Sequence, residues 1–394
     1  MLSGIRVGGH LDVERLERAF AAVAARHETL RSTYRAAGNE LLQVIAPEAR
    51  IPFEVRDADP DDYAEIVRAE VDRGFDLGQE VGARVLVLRF AEDDQAVLVL
   101  LHHLIGDGQS IELLARDVWA CYVGREDTLP ELPVQFADFA QWHRALLEGP
   151  RGGEQIGYWA GRLATATPTT LPADLTPSGA SWPPAAMLEK PVPLPTFHAV
   201  VQLAADRRVT LYLVGMTALG ALFARRTGDR DICLRAPVSY RDDSQVQDLI
   251  ADFSNDVVIR LRVTAGATFA DLLRQVEEVT ATGFAHRDLP PHLLDPLLPD
   301  PGLMARLSRV QFTTEREMAP LPTVDGLAIS TCAPPFPYSY RPLRIRLRYG
   351  GDRPKCLWNY QRDLFSPQRI ESLAADYVDV LAEMAADLSH PVLP

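Results

Sequence analysis

The sequence predicts a mixed α/β fold built as two lobes. Short apolar runs typical of strands alternate with helical stretches, both before and after a proline-rich segment. That segment, residues 164–196, holds eight prolines and can form neither a continuous helix nor a central strand. In a chain of 394 residues, we therefore expect an N-terminal lobe over residues 1–163, a crossover over 164–196 and a C-terminal lobe over 197–394.

The first predicted element is a helix that follows Asp12, whose carboxylate is a suitable N-cap. Apolar side chains recur there at spacings of three and four residues, which places them on one buried face. The positions are Val13, Leu16, Phe20, Val23, His27 and Leu30.

Two neighbouring strands are predicted over residues 84–90 and 95–101, because both runs are apolar and an acidic turn joins them. A helix over residues 109–121 follows. Its inner face carries Ile111, Leu114 and Val118. The free amide groups at its N-terminus could bind an anion or a developing oxyanion.

The C-terminal lobe repeats the alternation of helices and strands. The predicted elements are a helix within 207–226, strands over 231–237 and 256–263, a helix near 268–282, and a last helix opened by Ser366 and Pro367. In the last helix Ile370, Leu373, Tyr377 and Leu381 fall on one face.

Composition excludes several classes of partner. The net charge of −14 argues against nucleic acid, which requires a basic surface. The longest apolar run, residues 96–101, is too short to span a membrane, and residues 1–20 lack a signal-peptide pattern. The four cysteines show no motif spacing, which favours free thiols in a reducing compartment. We expect a cytoplasmic protein that binds neither nucleic acid nor membrane.

The most informative segment is HHLIGDG, residues 102–108, which follows an apolar strand. Side chains alternate along a strand, so His102 and His103 are expected to point to opposite faces, and one could enter a cleft as a base. Asp107 could hold the turn, and Gly108 would let a ligand approach the backbone closely. The alternative is a structural role, which is common for a histidine near a strand end.

Other catalytic motifs are absent from the sequence. Two histidines and an aspartate at this spacing do not place both imidazoles on one side, and the chain has no HExxH or CxxC motif, so no metal site is expected. The absence of GxGxxG, P-loop and GxSxG motifs weakens dehydrogenase, kinase and hydrolase interpretations.

Residues 102–108 resemble the HHxxxDG motif of nonribosomal peptide synthetase condensation domains and related acyltransferases. Further matches occur in the family's order: LD at 11–12, RHETLR at 26–31, GFDL at 74–77, FADFAQW at 136–142, YW at 158–159, LPAD at 171–174, PVSYR at 237–241, FSN at 253–255, DLP at 288–290 and YQRDLF at 360–365. The resemblance covers nearly the whole chain.

The resemblance implies a V-shaped pseudo-dimer of two chloramphenicol-acetyltransferase-like lobes, with a tunnel between them and the HHxxxDG turn midway. It also implies that acyl or peptidyl carrier proteins present substrates on 4′-phosphopantetheine arms. An acceptor amine then attacks the donor thioester, which gives an amide and a free carrier thiol. The enzyme itself would hold no cofactor.

The motif match makes His103 the candidate catalytic imidazole and gives His102 a structural role. In the family, the motif aspartate points away from the chemistry and holds the turn through an arginine. The resemblance thus gives Asp107 this role, with Arg241 as its candidate partner and Arg31 as the alternative.

Two further residues have open interpretations. Gly108 could let the pantetheine arm pass, although a tight turn would also explain a glycine there. Asn255 could donate a hydrogen bond in the tunnel, or it could be a turn residue at a strand end.

We expect a free-standing condensation enzyme, because the sequence shows no carrier-protein serine motif and no adenylation domain. The family's usual opening segment is also missing, so either the start of the sequence is mis-called or the protein dispenses with that segment. Phe253-Ser254-Asn255 also departs mildly from the family's more usual Phe-Val-Asn. The alternatives are an ester-forming or coenzyme A-dependent acyltransferase of the same fold, and a non-catalytic domain that recruits partners to a synthetase. A heterocyclising enzyme, with aspartates in place of the histidines, does not fit.

Overall fold

The computed structural model describes residues 1–38, 40–48, 50–317, 323–332, 336–351 and 353–393. The chain divides into two compact units. The first comprises Met1–Ala145, Ser239–Ser254 and Ala319–Phe336, and the second comprises Leu146–Val238, Asn255–Met318 and Pro337–Pro394.

The described residues form strands and helices in alternation. The strands are β1 (Leu2–Gly8), β2 (Ser32–Ala37), β3 (Glu40–Ile45), β4 (Phe53–Asp57), β5 (Ala83–Ala91), β6 (Asp94–Leu101), β7 (Ala185–Pro191), β8 (Asp231–Ser239), β9 (Ser254–Arg262), β10 (Val310–Arg316), β11 (Ala328–Thr331), β12 (Leu343–Tyr349) and β13 (Lys355–Gln361). The α-helices are α1 (Val13–Arg26), α2 (Tyr63–Arg73), α3 (Gly108–Tyr122), α4 (Phe136–Glu148), α5 (Pro150–Leu163), α6 (Leu194–Arg207), α7 (Leu211–Thr227), α8 (Phe269–Ala285), α9 (Pro291–Leu294), α10 (Leu303–Leu307) and α11 (Pro367–Ala386).

The first unit is built on a five-stranded sheet in the order β11-β1-β6-β5-β4. Only β4 and β5 run parallel among its paired strands; the other pairs are antiparallel. Helices α1 and α3 pack together, and their inner side chains join one apolar core with strands β5 and β6. As expected, Asp12 caps α1, since its side chain accepts a hydrogen bond from the amide of Arg15. This core fixes the end of β6, where the HHxxxDG segment begins.

The second unit is built on a six-stranded sheet in the order β7-β13-β12-β10-β8-β9. Strand β10 is parallel to β12 and β8, whereas β12, β13 and β7 pair antiparallel. Alternate side chains of β10, β12 and β13 enter a core that also contains residues of α7, α8 and α11. The most enclosed of these include Phe312, Trp358 and Tyr377.

Several elements differ from the sequence predictions. The proline-rich segment is more than a connection, because its residues 185–191 form β7, which lies at a sheet edge where proline is tolerated. The helix expected within 207–226 is α7 alone. Helix α6 precedes it, and the backbone breaks between them at Arg208, which adopts a left-handed conformation with φ of 56°.

The two units also divide the chain differently from the predicted lobes. Residues 239–254 and 319–336 lie beyond the crossover, yet they pack in the first unit, where β11 adds an edge strand to β1. Residues 146–163 precede the crossover but pack in the second unit. The cause is that strand pairing and side-chain contact join segments that are distant in sequence.

Two further observations concern the cysteines and the helices that could span a membrane. Cys121, Cys233, Cys332 and Cys356 are all free, and Cys233 and Cys356 are buried. Within the described ranges, no helix has the length and apolar character required to cross a membrane.

Candidate active site

The HHxxxDG segment is a turn between β6 and α3. Strand β6 ends at Leu101, His102 is extended, and residues 103–105 form one turn of 3₁₀ helix. The expectation that strand alternation separates the two histidines is therefore wrong, because His103 already belongs to the 3₁₀ turn. The change of backbone conformation at this point sends the two imidazoles to different partners.

His102 supports the turn. Its Nδ1 accepts a hydrogen bond of 3.0 Å from the amide of Leu104. The ring also packs edge to face against Phe75, with 6.1 Å between the ring centres. Burial, followed by the charge of neighbouring groups, lowers the pKa of His102, which keeps the ring neutral and able to accept this bond.

His103 faces solvent and is held by a carboxylate. Its side chain is 56% exposed, and its Nδ1 lies 2.9 Å from Oδ2 of Asp252. That hydrogen bond raises the pKa of His103 and outweighs burial, which acts in the opposite direction. Within the described part of the chain, Nε2 has no hydrogen-bond partner.

Ser254 holds Asp252 in place through the second carboxylate oxygen. Oδ1 accepts hydrogen bonds from the amide and the hydroxyl of Ser254, at 3.0 and 2.5 Å. Asp252 is not among the site residues predicted from the sequence. The available signal was its position directly before Phe253-Ser254-Asn255, one of the segments that resemble the family.

Asp107 caps helix α3 and carries a buried ion pair. Its Oδ1 accepts hydrogen bonds from both the amide and the hydroxyl of Ser110 at 2.9 Å. The expectation that the N-terminus of α3 binds an external anion through free amides is therefore wrong for the Ser110 amide, because Asp107 itself fills that position. Burial alone would raise the pKa of Asp107, but the hydrogen bonds and charge of Arg241, with Ser110, hold it below its usual value.

Arg241 is the ion-pair partner of Asp107. Its Nε and Nη2 lie 2.8 and 2.9 Å from the two carboxylate oxygens, and its side chain is 5% exposed. Arg31, the alternative partner, instead binds the carbonyl oxygen of Ala46 and the carboxylate of Glu28. The geometry therefore selects Arg241.

The guanidinium of Arg241 also organises the loop of residues 242–253. Its remaining N–H groups donate to the main-chain oxygens of Val246, Gln247, Leu249 and Ala251. Phe253 lies against it, with 4.8 Å from the guanidinium carbon to the ring centre, and donates its amide to Asp107 at 3.3 Å. Asp252 therefore sits between two residues that this ion pair fixes.

A second anchor of the loop comes from the RHETLR segment. The Nδ1 of buried His27 accepts a hydrogen bond of 3.2 Å from the amide of Ile250, while its Nε2 lies 3.0 Å from the Asp117 carboxylate. The hydroxyl of Thr29 donates to the carbonyl of the same Ile250. Burial is the main reason that the pKa of His27 is lowered.

Gly108 and Asn255 have different surroundings. Gly108 is exposed, its φ is outside the left-handed region, and a Cβ at this position would meet no atom within 4 Å. The fold of the chain therefore does not require glycine in a left-handed turn there. Asn255 lies in the second unit, where Nδ2 donates to the carbonyl of Arg287 at 2.7 Å and Oδ1 accepts from the amide of Asp256.

The site contains an oriented base and its support. A carboxylate beside Nδ1 favours the tautomer with the proton on Nδ1, which leaves the Nε2 lone pair free to accept a proton. Across the described ranges, no group of three or more histidine, cysteine or acidic side chains is arranged to hold a metal ion.

A family model for the condensation domain matches residues 3–393. The chain belongs to the condensation domain family. Among relatives of this condensation domain, the phosphinothricin tripeptide synthetase PhsC of Streptomyces viridochromogenes is 34% identical over 300 residues, which cover 73% of this chain and 28% of that protein. A linear gramicidin synthase of Brevibacillus parabrevis is 29% identical over 413 residues, which cover 99% of this chain and 5% of that protein. The condensation domain thus spans a small part of these relatives.

Solved structures agree with this assignment. The X-domain of teicoplanin biosynthesis, in its complex with OxyB, superposes with a TM-score of 0.89 at 25% identity, and the match covers 100% of this chain and 89% of that one. The mixed α/β fold and the family predicted from the sequence are confirmed.

The Asp107→Ala variant should lose stability and activity together. Removal of one partner leaves the buried Arg241 cation uncompensated, which costs on the order of 3–5 kcal/mol in free energy of unfolding. The measurement is chemical denaturation at neutral pH, with Glu14→Ala, which removes an exposed partner of Arg18, as a control that should lose less than about 1 kcal/mol.

The stabilisation by Asp107 should also depend on pH. Because its pKa is lowered in the fold, the contribution is present above the unfolded value of about 3.9 and is lost as the pH falls through the folded value. An Asp107→Ala variant that unfolds like the native protein yet is inactive would place this carboxylate in the chemistry itself.

Proposed function

We propose that this condensation domain catalyses amide formation between an acceptor amine and an acyl or aminoacyl thioester on a carrier protein. The observation that carries the proposal is the state of His103. Its Nδ1 is fixed by Asp252, and its Nε2 is exposed and unengaged in the described part of the chain. An imidazole held in this way is suited to accept a proton from an incoming nucleophile.

The proposed reaction begins with attack of the amine nitrogen on the thioester carbonyl carbon. His103 takes one proton from that nitrogen through Nε2, as the carbonyl oxygen gains negative charge. The carbon–sulfur bond then breaks, the amide carbonyl re-forms, and the proton on Nε2 passes to the leaving thiolate. The thioester supplies the free energy, so the protein contributes proximity and a base.

Asp252 is a positioning residue in this proposal. Its carboxylate keeps the proton of the neutral imidazole on Nδ1 and stabilises the imidazolium that forms during transfer. Asp107 and Arg241 act one step further away, because they fix the loop that carries Asp252.

Gly108 supports the same function. The exposed space above it, where a Cβ would touch nothing in the chain, lies five residues after His103 at the start of α3. We propose that the 4′-phosphopantetheine arm of the donor passes this position as a substrate.

The proposed partners are an acyl or peptidyl carrier protein and an amine acceptor. The net charge of −14 repels an acidic carrier at long range, although salt screens that repulsion beyond about 8 Å. Docking should therefore use a local basic or apolar patch. The free-standing arrangement and the cytoplasmic location expected from the sequence stay predictions, since the matched segments of the relatives are parts of much longer chains.

A second candidate is a docking domain without catalysis. It is favoured by the similarity to the teicoplanin X-domain, a protein whose structure was solved in complex with OxyB. Both histidines and the glycine of the motif are present in this chain, which favours catalysis over docking alone.

The decisive experiment incubates the protein with an acyl-loaded carrier protein and a panel of amines, and detects products by intact-protein mass spectrometry. His103→Ala should reduce acyl transfer by roughly 10²–10⁴-fold, the usual effect of losing a positioned base. His10→Ala, at a histidine whose side chain is 80% exposed, is the matched control and should keep native activity. Native activity in His103→Ala would contradict the base assignment, and an inactive native protein that still binds carrier would favour docking.

The pH profile tests the role of Asp252. Transfer requires neutral His103, so activity should fall as the pH falls through its raised pKa, above the ordinary value of about 6.5. In Asp252→Asn, the pH at which activity is half lost should move to lower values. The maximal rate at higher pH should also fall, because Nδ1 loses its carboxylate partner. Asp248 lies in the same loop and pairs with Arg116. The control Asp248→Asn should leave the midpoint of the pH profile unchanged. An unshifted midpoint in Asp252→Asn would remove Asp252 from the proposal.

A comparison of donors separates the carrier-dependent reaction from the coenzyme A alternative. One acyl group is supplied on a carrier protein, on coenzyme A and on a short thioester mimic, and kcat/KM is measured for each. The carrier-bound donor should react with the highest kcat/KM, because protein contacts add to its binding. Equal kcat/KM values would show that the carrier is not recognised and would favour a coenzyme A-type acyltransferase. A parallel assay with an alcohol acceptor tests for ester formation.

A further inference from the structure

The sheet of the second unit has one apolar face and one polar face. Along β12, Leu343, Ile345 and Leu347 enter the core. The alternating positions, Arg344 and Arg346, point to the opposite face together with Arg348. Three guanidinium groups on one strand repel each other unless acceptors or anions compensate them.

One carboxylate provides part of this compensation, and a second pairs with other arginines nearby in sequence or sheet order. Glu315 on β10 accepts hydrogen bonds from Arg346 and from Arg348. Asp256 on β9 pairs with two further arginines of this unit, Arg235 and Arg341. Each carboxylate is therefore shared between two arginines.

Arg344 is left without an acceptor. No side chain or carbonyl among the residues that the structure describes accepts a hydrogen bond from its guanidinium. The side chain is exposed to solvent. Burial by surrounding atoms, followed by the charge of Arg346, nevertheless lowers its pKa to about 10. Arg344 is thus accessible to a small solute from the polar face of the sheet.

Its neighbours across the sheet add further donors. The strand register places Gln311 of β10 beside Arg344 on one side and Asn359 of β13 on the other. The amide oxygen of Gln311 accepts from Arg235, and that of Asn359 accepts from Arg346 at 3.0 Å. Because a carbonyl oxygen must face a guanidinium, the two amide NH₂ groups are turned away from those arginines. Within the described ranges, neither NH₂ group has an acceptor.

We propose that Gln311, Arg344 and Asn359 form a binding site for one oxyanion, a carboxylate or a phosphate group of a small molecule. All three present N–H donors and no free acceptor, and a guanidinium matches the two oxygens of such a group. The three residues lie on adjacent strands about 5 Å apart, so their side chains can converge on one small group. This site lies in the second unit, whereas His103 lies in the first, and anion binding there needs no acyl transfer.

The test measures anion binding to the whole protein by isothermal titration calorimetry. Sodium acetate and sodium phosphate are the two probes, with sodium chloride at equal ionic strength as the reference. At least one probe should bind with a saturable signal that chloride lacks. A signal with acetate alone assigns the site to carboxylates, and a stronger signal with phosphate assigns it to phosphate groups.

Two variants locate the binding. Arg344→Gln removes the charge, and Asn359→Asp replaces a donor with a carboxylate that repels the anion while still accepting from Arg346. Each should weaken binding by about tenfold or more, the loss expected for a charge-assisted hydrogen bond. Arg274→Gln, at an exposed arginine of α8 in the same unit, should bind like the native protein.

Two results would overturn the site: no probe binds above chloride, or either Arg344→Gln or Asn359→Asp retains native affinity. Circular dichroism of each variant checks that it is folded. Because the assay involves neither carrier nor thioester, its outcome is separate from that of the acyl-transfer experiments.

Discussion

The ion pair between Asp107 and Arg241 connects the motif to the rest of its unit. Asp107 is at once the cap of α3, the counter-ion of a buried guanidinium and the acceptor for the amide of Phe253. Arg241 directs its other donors to carbonyl groups of one loop. A buried arginine must have its N–H groups satisfied, and here that need determines the course of the loop. The position of Asp252, and through it the ring of His103, follows from this arrangement.

The sequence predicted the centre of the site better than its surroundings. The HHxxxDG segment, the cap at Asp12, the main strands β5, β6 and β8 and the last helix could be recognised because their signals are local. The choice of Arg241 over Arg31 came from a resemblance. Asp252 could not be found in this way, because its contact with His103 crosses 149 positions of the chain and leaves no spacing signal. The pairing of strands into sheets was equally difficult to predict, because the edge strands β11 and β7 pair with strands that are far away in sequence.

Two polar arrangements depend on geometry that only the folded chain provides. At His103, one carboxylate orients a base. In the second unit, the register of β10, β12 and β13 brings an arginine between two amides whose oxygens are already bound. In both places, one polar group has no hydrogen-bond partner among the described residues, while the groups around it are already hydrogen-bonded. Residue identity alone could not reveal these groups, because arginines, glutamines and asparagines are ordinary on sheet surfaces.

The first unit is assembled from three separate stretches of the chain, and this has a consequence for synthesis on the ribosome. His103 leaves the ribosome well before Asp252, and at about 5–20 residues per second the delay is on the order of ten seconds. Strand β1 is made before His103, and its partner β11 is made after Asp252, so β1 waits still longer. An early nascent chain therefore carries the complete HHxxxDG segment without an oriented base. Its apolar surfaces also remain without their partners during this interval, so the first unit completes its fold only after its later segments have been made.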